Sequence, residues 1–155
     1  MKTLVVVYSR TGITLSLAKK IARELQADLE IIRDNVNRKG VLGFLRSGYE
    51  AVRKKIPSIA EPKHDPADYD LVIIGTPIWA GRMSSPVRAY LLRFRERFKQ
   101  VAFFATSGRG GYKRAFIEMA EVAGMKPLAA IDFSLREVRE GRDVEALEAF
   151  LRAIK

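Results

Sequence analysis

Ser9-Arg10-Thr11-Gly12-Ile13-Thr14 sets three hydroxyls and a glycine where an apolar run gives way to helical spacing. The first N–H groups of a helix lack intrahelical partners, and the helix dipole places its positive end there. Such a turn can hold a phosphate dianion, with Ser9, Thr11 and Thr14 as further donors. A plain N-capping turn is the simpler use, but it needs one hydroxyl rather than three. The stretch lacks the lysine of a Walker loop and the glycine triplet of a dinucleotide fingerprint, so a mononucleotide fits better.

Two more stretches have the makings of a ring site. Thr76-Pro77-Ile78-Trp79-Ala80-Gly81 carries the single Trp of the chain, placed in a loop where it offers a flat face to a planar ring or else caps the end of the sheet. Ala80-Gly81 lets a peptide turn over, since glycine tolerates positive φ. Thr106-Ser107-Gly108-Arg109-Gly110-Gly111-Tyr112 is rich in N–H donors and adds a second aromatic, or is a turn of no function.

These loops need elements to hold them. Thr3-Leu4-Val5-Val6-Val7-Tyr8 is a continuous β-branched run that suits a strand buried on both faces. Further strands are expected at Leu29-Glu30-Ile31-Ile32, Asp70-Leu71-Val72-Ile73-Ile74-Gly75, Val101-Ala102-Phe103-Phe104-Ala105 and Ala129-Ala130-Ile131-Asp132-Phe133. Leu17, Ala18, Ile21, Ala22 and Leu25 recur at helical spacing after the first loop. Helices are also expected at about residues 85–98, 112–123 and 144–154. The last should turn Val144, Leu147, Phe150, Leu151 and Ile154 to the sheet, with Asp143 as its cap. Alternating strands and helices specify a three-layer α/β/α fold, here with five parallel strands. All three loops then lie beyond the carboxyl ends of the strands, where open α/β sheets bind ligands.

The chain reads as one domain with a basic helical insertion at about residues 36–60, too long for a simple connection. Leu42, Leu45, Tyr49 and Val52 recur there at helical spacing and are expected, with Phe44, to face inward and leave a basic outer face.

Composition narrows the chemistry. A chain of 155 residues, 48% hydrophobic and 30% charged, reads as an ordinary globular domain, expected in the cytoplasm. It has no Cys, which excludes disulfides, thiol catalysis and Cys-ligated clusters, and its one His leaves little for a metal site. No catalytic side chain stands out, so redox chemistry would have to come from a bound cofactor. His64 is expected to be merely exposed. The net charge of +10 allows an acidic partner or nucleic acid, though the basic segment has few aromatics free to stack on bases. No acidic pair follows the first strand, which disfavours a phosphoryl-accepting receiver domain.

The three loops, over essentially the whole chain, resemble those of the flavodoxin family, which implies a flavodoxin-like sheet of five parallel strands in the order 2-1-3-4-5. Ser9 to Thr14 is similar to the family's S/T-x-T-G-x-T, which implies that it holds the phosphate of FMN. The resemblance further implies that Trp79 stacks on the isoalloxazine while a nearby peptide of its loop contacts N5, and that Thr106, Ser107, Gly108 and Gly111 lie at the pyrimidine edge, with Tyr112 presented to the other face of the ring. It implies either an electron carrier with a redox partner protein or an FMN-dependent reductase using NAD(P)H and a small acceptor of quinone type, as monomer or homodimer. Many carriers are acidic and place an Asp in the third loop, whereas this chain is basic and has Gly108-Arg109-Gly110. Arg82 or Arg109 near the ring would make its potential less negative.

Overall fold

The computed structural model describes residues 1–108 and 110–155. Leu4 to Val7, Val72 to Ile74 and Val101 to Ala105 are completely inaccessible to water, so these runs form the middle of a sheet covered on both faces. The sheet comprises β1 (Thr3–Val7), β2 (Asp28–Ile31), β3 (Leu71–Trp79), β4 (Arg82–Met83), β5 (Val101–Ser107) and β6 (Ala130–Ser134). Five of these are parallel and lie in the order β2-β1-β3-β5-β6, while β4 pairs antiparallel with the end of β3. Counting parallel strands alone, this is the expected 2-1-3-4-5.

Successive side chains of a strand point to opposite faces, and the strands divide their residues accordingly. Leu4, Val6 and Tyr8 join Val72, Ile74 and Phe103 on one face, under α2 (Gly40–Val52), α3 (Ser85–Phe94) and α4 (Tyr112–Ala123). Val5 and Val7 join Ile73 and Phe104 on the other, under α1 (Ile13–Leu25), α5 (Leu135–Arg139) and α6 (Val144–Ile154). The three layers therefore follow from strand alternation. The far end of the Phe104 ring abuts Gly75, where an added Cβ would come within 2.0 Å of it.

Four expectations are corrected. The third strand continues through Thr76 to Trp79 because Ile78 and Trp79 pair with Met83 and Arg82 in a hairpin. Asp143 stands at the N-cap position of α6, but its side chain makes no capping bond; its carboxylate is buried and pairs with Lys20 at 3.1 Å. Val144 lies on the exposed side of that helix. The largest departure is α2, whose buried residues are Gly43, Ser47, Glu50 and Ala51, while Leu42, Phe44, Leu45, Tyr49 and Val52 face solvent. No helix among the described residues is long and apolar enough to cross a membrane.

Candidate functional site

The first loop leaves β1 and enters α1 through Gly12, whose φ of 95° places it in the left-handed region that glycine adopts without strain. No side chain caps α1. Ser9 Oγ accepts a hydrogen bond from the Gly12 N–H at 2.9 Å, which folds the turn back on itself and leaves Thr11 and Gly12 exposed at its tip. Thr14 is buried, its Oγ1 2.8 Å from Thr106 Oγ1 on β5. Of the three hydroxyls, Ser9 shapes the turn, Thr11 stands at its mouth and Thr14 ties it to the third loop. Ile13 is half-buried among the residues under α1.

The second loop is a tight hairpin. Ala80 and Gly81 both have positive φ, 53° and 76°, as a two-residue turn between twisted strands requires. Thr76, fully buried, accepts from the Ser84 N–H at 3.0 Å and so pins the base of the hairpin to the start of α3. Pro77 and Ile78 are half-buried in its arm. Trp79 does not stand free. It is 7% exposed, with Tyr8 edge-on at 5.6 Å and the Arg38 guanidinium over its ring at 5.0 Å. The expected open stacking face is therefore covered by a cation from the insertion.

The third loop starts at the end of β5. Ser107 donates to Asp132 Oδ2 on β6 at 2.8 Å, and Asp132 Oδ1 is buried without a hydrogen-bond partner among the described residues. Burial pushes the Asp132 carboxyl up to about 6, with the Ser107 hydrogen bond pulling the other way. Gly108 is exposed, and Arg109 lies outside the described residues. Gly111 opens α4 with φ 81° and no side-chain cap, and an added Cβ would sit 3.0 Å from Gly81 Cα. The second and third loops thus touch backbone to backbone. Tyr112 lines a cavity of about 350 Å³ with Gly81, Gly111, Lys113 and Arg114, its ring 5.9 Å from that of Phe116.

Two charge clusters brace this edge, and neither was anticipated. Arg82 of the hairpin and Arg88 of α3 converge on Glu118 of α4, the latter at 2.6 Å. One carboxylate thus answers two cations, and Arg82 does not project a bare charge toward the loops. On the other side Arg38, 3% exposed, donates to Asp34 at 2.7 Å, to Glu50 at 2.8 Å and to Ser47 at 3.1 Å. Burial opposes its charge, but the hydrogen bonds it donates to Glu50 and Asp34 outweigh that and hold the guanidinium firmly protonated. Burial also disfavours the Glu50 carboxylate, and hydrogen bonds from Arg38, Arg46 and Ser85 more than compensate, so it stays below the usual range. Arg10 of the first loop donates to the Arg38 carbonyl at 3.1 Å and lies over the Phe44 ring.

Glu118 was visible as a charge sharing the inward helical positions of Ala115 and Met119, and Asp132 as one inside an apolar strand. Nothing in local sequence marks Arg38 off from the other cations of its segment. His64 is only partly exposed; its Nδ1 is 3.0 Å from Glu30 Oε1, remote from the three loops.

The Flavodoxin family model matches residues 2–127. Among solved structures, the fold is similar to a flavoprotein from Lactobacillus acidophilus NCFM in complex with FMN, at 23% identity over 95% of this chain and 98% of that one, with a TM-score of 0.74. The apo form of the flavoprotein from that organism is 26% identical over 90% of this chain and 95% of the other, with a TM-score of 0.65. Two-electron reduced flavodoxin from Megasphaera elsdenii is 20% identical, over 84% and 85% of the two chains, with a TM-score of 0.54. No curated protein matches the sequence. A family match covering most of the chain, on a sheet ordered β2-β1-β3-β5-β6 with its three loops at one edge, shows that the chain belongs to the flavodoxin family.

Proposed function

We propose that this chain binds FMN at the three-loop edge and serves as an electron-transfer flavoprotein. The observation that carries the reading is the start of α1: an uncapped helix N-terminus, a glycine at its entry, and the Ser9 and Thr11 hydroxyls around an exposed turn. Ser9, Arg10, Thr11, Gly12, Ile13 and Thr14 would hold the phosphate. Thr14, through Thr106, fixes the distance from that turn to the third loop.

Thr76, Pro77, Ile78, Trp79, Ala80 and Gly81 would flank one side of the ring, and Thr106, Ser107, Gly108, Gly111 and Tyr112 the other. Since Arg38 covers Trp79, we assign Trp79 to stiffening the hairpin and Tyr112, at the mouth of its cavity, to stacking. FMN supplies the electron chemistry when bound, and the protein's part is to orient the ring and set its electrostatic surroundings. Glu118 offsets the charge of Arg82, so a less negative potential no longer follows from Arg82.

The test is a visible-absorption titration with FMN of the wild type and of Trp79→Phe and Tyr112→Ala. The reading expects saturable binding, retained in Trp79→Phe and weakened about tenfold in Tyr112→Ala, a loss in keeping with one aromatic contact. Absence of binding at micromolar FMN would overturn it.

A second reading, an FMN-dependent reductase of a small apolar acceptor with NAD(P)H as donor, draws on an apolar groove of about 480 Å³. The groove runs beside Ile78, Trp79 and Ala80 and is walled by Phe44, Leu45 and Tyr49. Steady-state NADPH oxidation by the FMN-loaded protein separates the two, because a carrier alone turns over almost none.

A further inference from the structure

We propose that α2 docks this protein onto an anionic lipid surface, lying in the plane of the headgroups with its apolar side down. Val41, Leu42, Phe44, Leu45, Tyr49, Val52 and Ile56 are 48–83% exposed, and they make up seven of the twelve large apolar side chains exposed among the described residues. Single exposed apolar residues are ordinary on any surface, but seven within sixteen positions form a patch that calls for an occupant.

The outward orientation is built in. Gly43 presses against the Arg38 backbone so closely that a Cβ would come within 2.1 Å of its carbonyl carbon. Ser47 Oγ donates to the Gly43 carbonyl at 2.7 Å, and Glu50 is locked to Arg38. The polar side of the helix is thus its protein side. Rotating α2 to hide the apolar stripe would tear Glu50 from Arg38 and expose both charges to an apolar neighbourhood.

Charge selects the occupant. Glu50 is the sole acidic residue from Asn35 to Ala60, and it is buried, whereas Lys39, Arg46, Arg53, Lys54 and Lys55 are exposed around the apolar side chains. Arg46 pairs with Glu50 at 2.9 Å. Lys39, Arg53, Lys54 and Lys55 pair with no carboxylate among the described residues. A second copy of this chain would bring the same cations face to face and repel. An anionic bilayer accepts both the apolar side chains and the cationic rim, which is the pattern of an interfacial helix. At about 1.5 Å per residue, the thirteen residues of α2 reach about 20 Å, which suits lying in the interface rather than spanning it. Docked this way, the groove beside Trp79 opens toward the lipid.

The experiment is co-sedimentation of the full chain with vesicles of phosphatidylcholine alone and of an equimolar mixture with phosphatidylglycerol, with and without FMN. Binding is expected to the mixed vesicles only, to fall with added salt, and to be the same in both FMN states, so it stands apart from the cofactor reading. Leu45→Asp should lower partitioning about tenfold, and Lys54→Gln with Lys55→Gln about twenty-fivefold, at roughly fivefold per cation. All three side chains are exposed, so circular dichroism should be unchanged. A monomer that ignores mixed vesicles, equal binding to both vesicle types, or a concentration-dependent dimer abolished by Leu45→Asp would each overturn the proposal.

Discussion

Arg38 holds the insertion to the sheet edge, and its removal should be among the costlier single changes in the protein. In Arg38→Ala, Asp34 and Glu50, both nearly inaccessible, lose donors at 2.7 and 2.8 Å, Ser47 loses one at 3.1 Å, and Trp79 loses its cation. Breaking one partner out of a buried ion pair costs about 3–5 kcal/mol. Glu50 keeps Arg46 and Ser85, which favours the lower end, while the Trp79 contact adds about 1 kcal/mol. The expected loss is about 4 kcal/mol in urea unfolding at pH 7, a large part of the roughly 5–15 kcal/mol that holds a domain together. The pH dependence is diagnostic. Glu50 titrates below its unfolded value in the wild type, so its contribution is present above about pH 4.5 and lost as pH falls through the depressed folded value. Without Arg38 that advantage is gone, and the gap between variant and wild type should narrow from pH 6 to pH 3. A loss under about 1 kcal/mol, or a gap independent of pH, would refute the idea that Arg38 pairing fixes α2.

Asp132 has the opposite sign: its folded carboxyl titrates at about 6 against 3.8 unfolded. It should cost stability as pH rises through that window, by up to about 3 kcal/mol; Asp132→Asn should flatten the urea midpoint there and exceed the wild type at pH 7. Thr14→Val strands the buried Thr106 hydroxyl and should cost about 1–3 kcal/mol by thermal or urea unfolding, whereas Thr14→Val with Thr106→Val removes both partners and should recover most of it. Gly111→Ala places a Cβ 3.0 Å from Gly81 Cα at φ 81°, a conformation that costs about 1–2 kcal/mol outside glycine. It should part the second and third loops and weaken FMN binding about tenfold in the absorption titration.

The strands were legible because a parallel sheet covered on both faces needs continuous β-branched runs, and Leu4-Val5-Val6-Val7 and Leu71-Val72-Ile73-Ile74 are that signal. Alternation with helices made the sheet parallel and so placed the three loops at one edge, while the strand order was implied by the resemblance of those loops to the flavodoxin family. The loops were less legible where long-range partners decide. Trp79 looked like a loop residue because nothing local shows that Arg82 and Met83 pair back onto β3, or that Arg38 crosses from the insertion to cover its ring. Asp143 looked like a helix cap, since a cap is a local signature, but Lys20 reaches it across 123 positions of sequence.

The reversal of α2 has a different origin. Helical spacing of Leu42, Leu45, Tyr49 and Val52 says only that the helix separates two environments; it does not say which of the two is protein. The opposite stripe held the answer in small residues: Gly43, Ser47 and Ala51 lie four apart and permit a close approach of backbones, while Leu or Phe at those positions would hold the helix away. A charge at Glu50 beside that stripe is buried at a cost unless a cation waits beneath it, and Arg38 is that cation. The polar stripe is therefore the specific, fixed side of α2, and the apolar stripe, largely exposed among the described residues, is the side left free for an external partner.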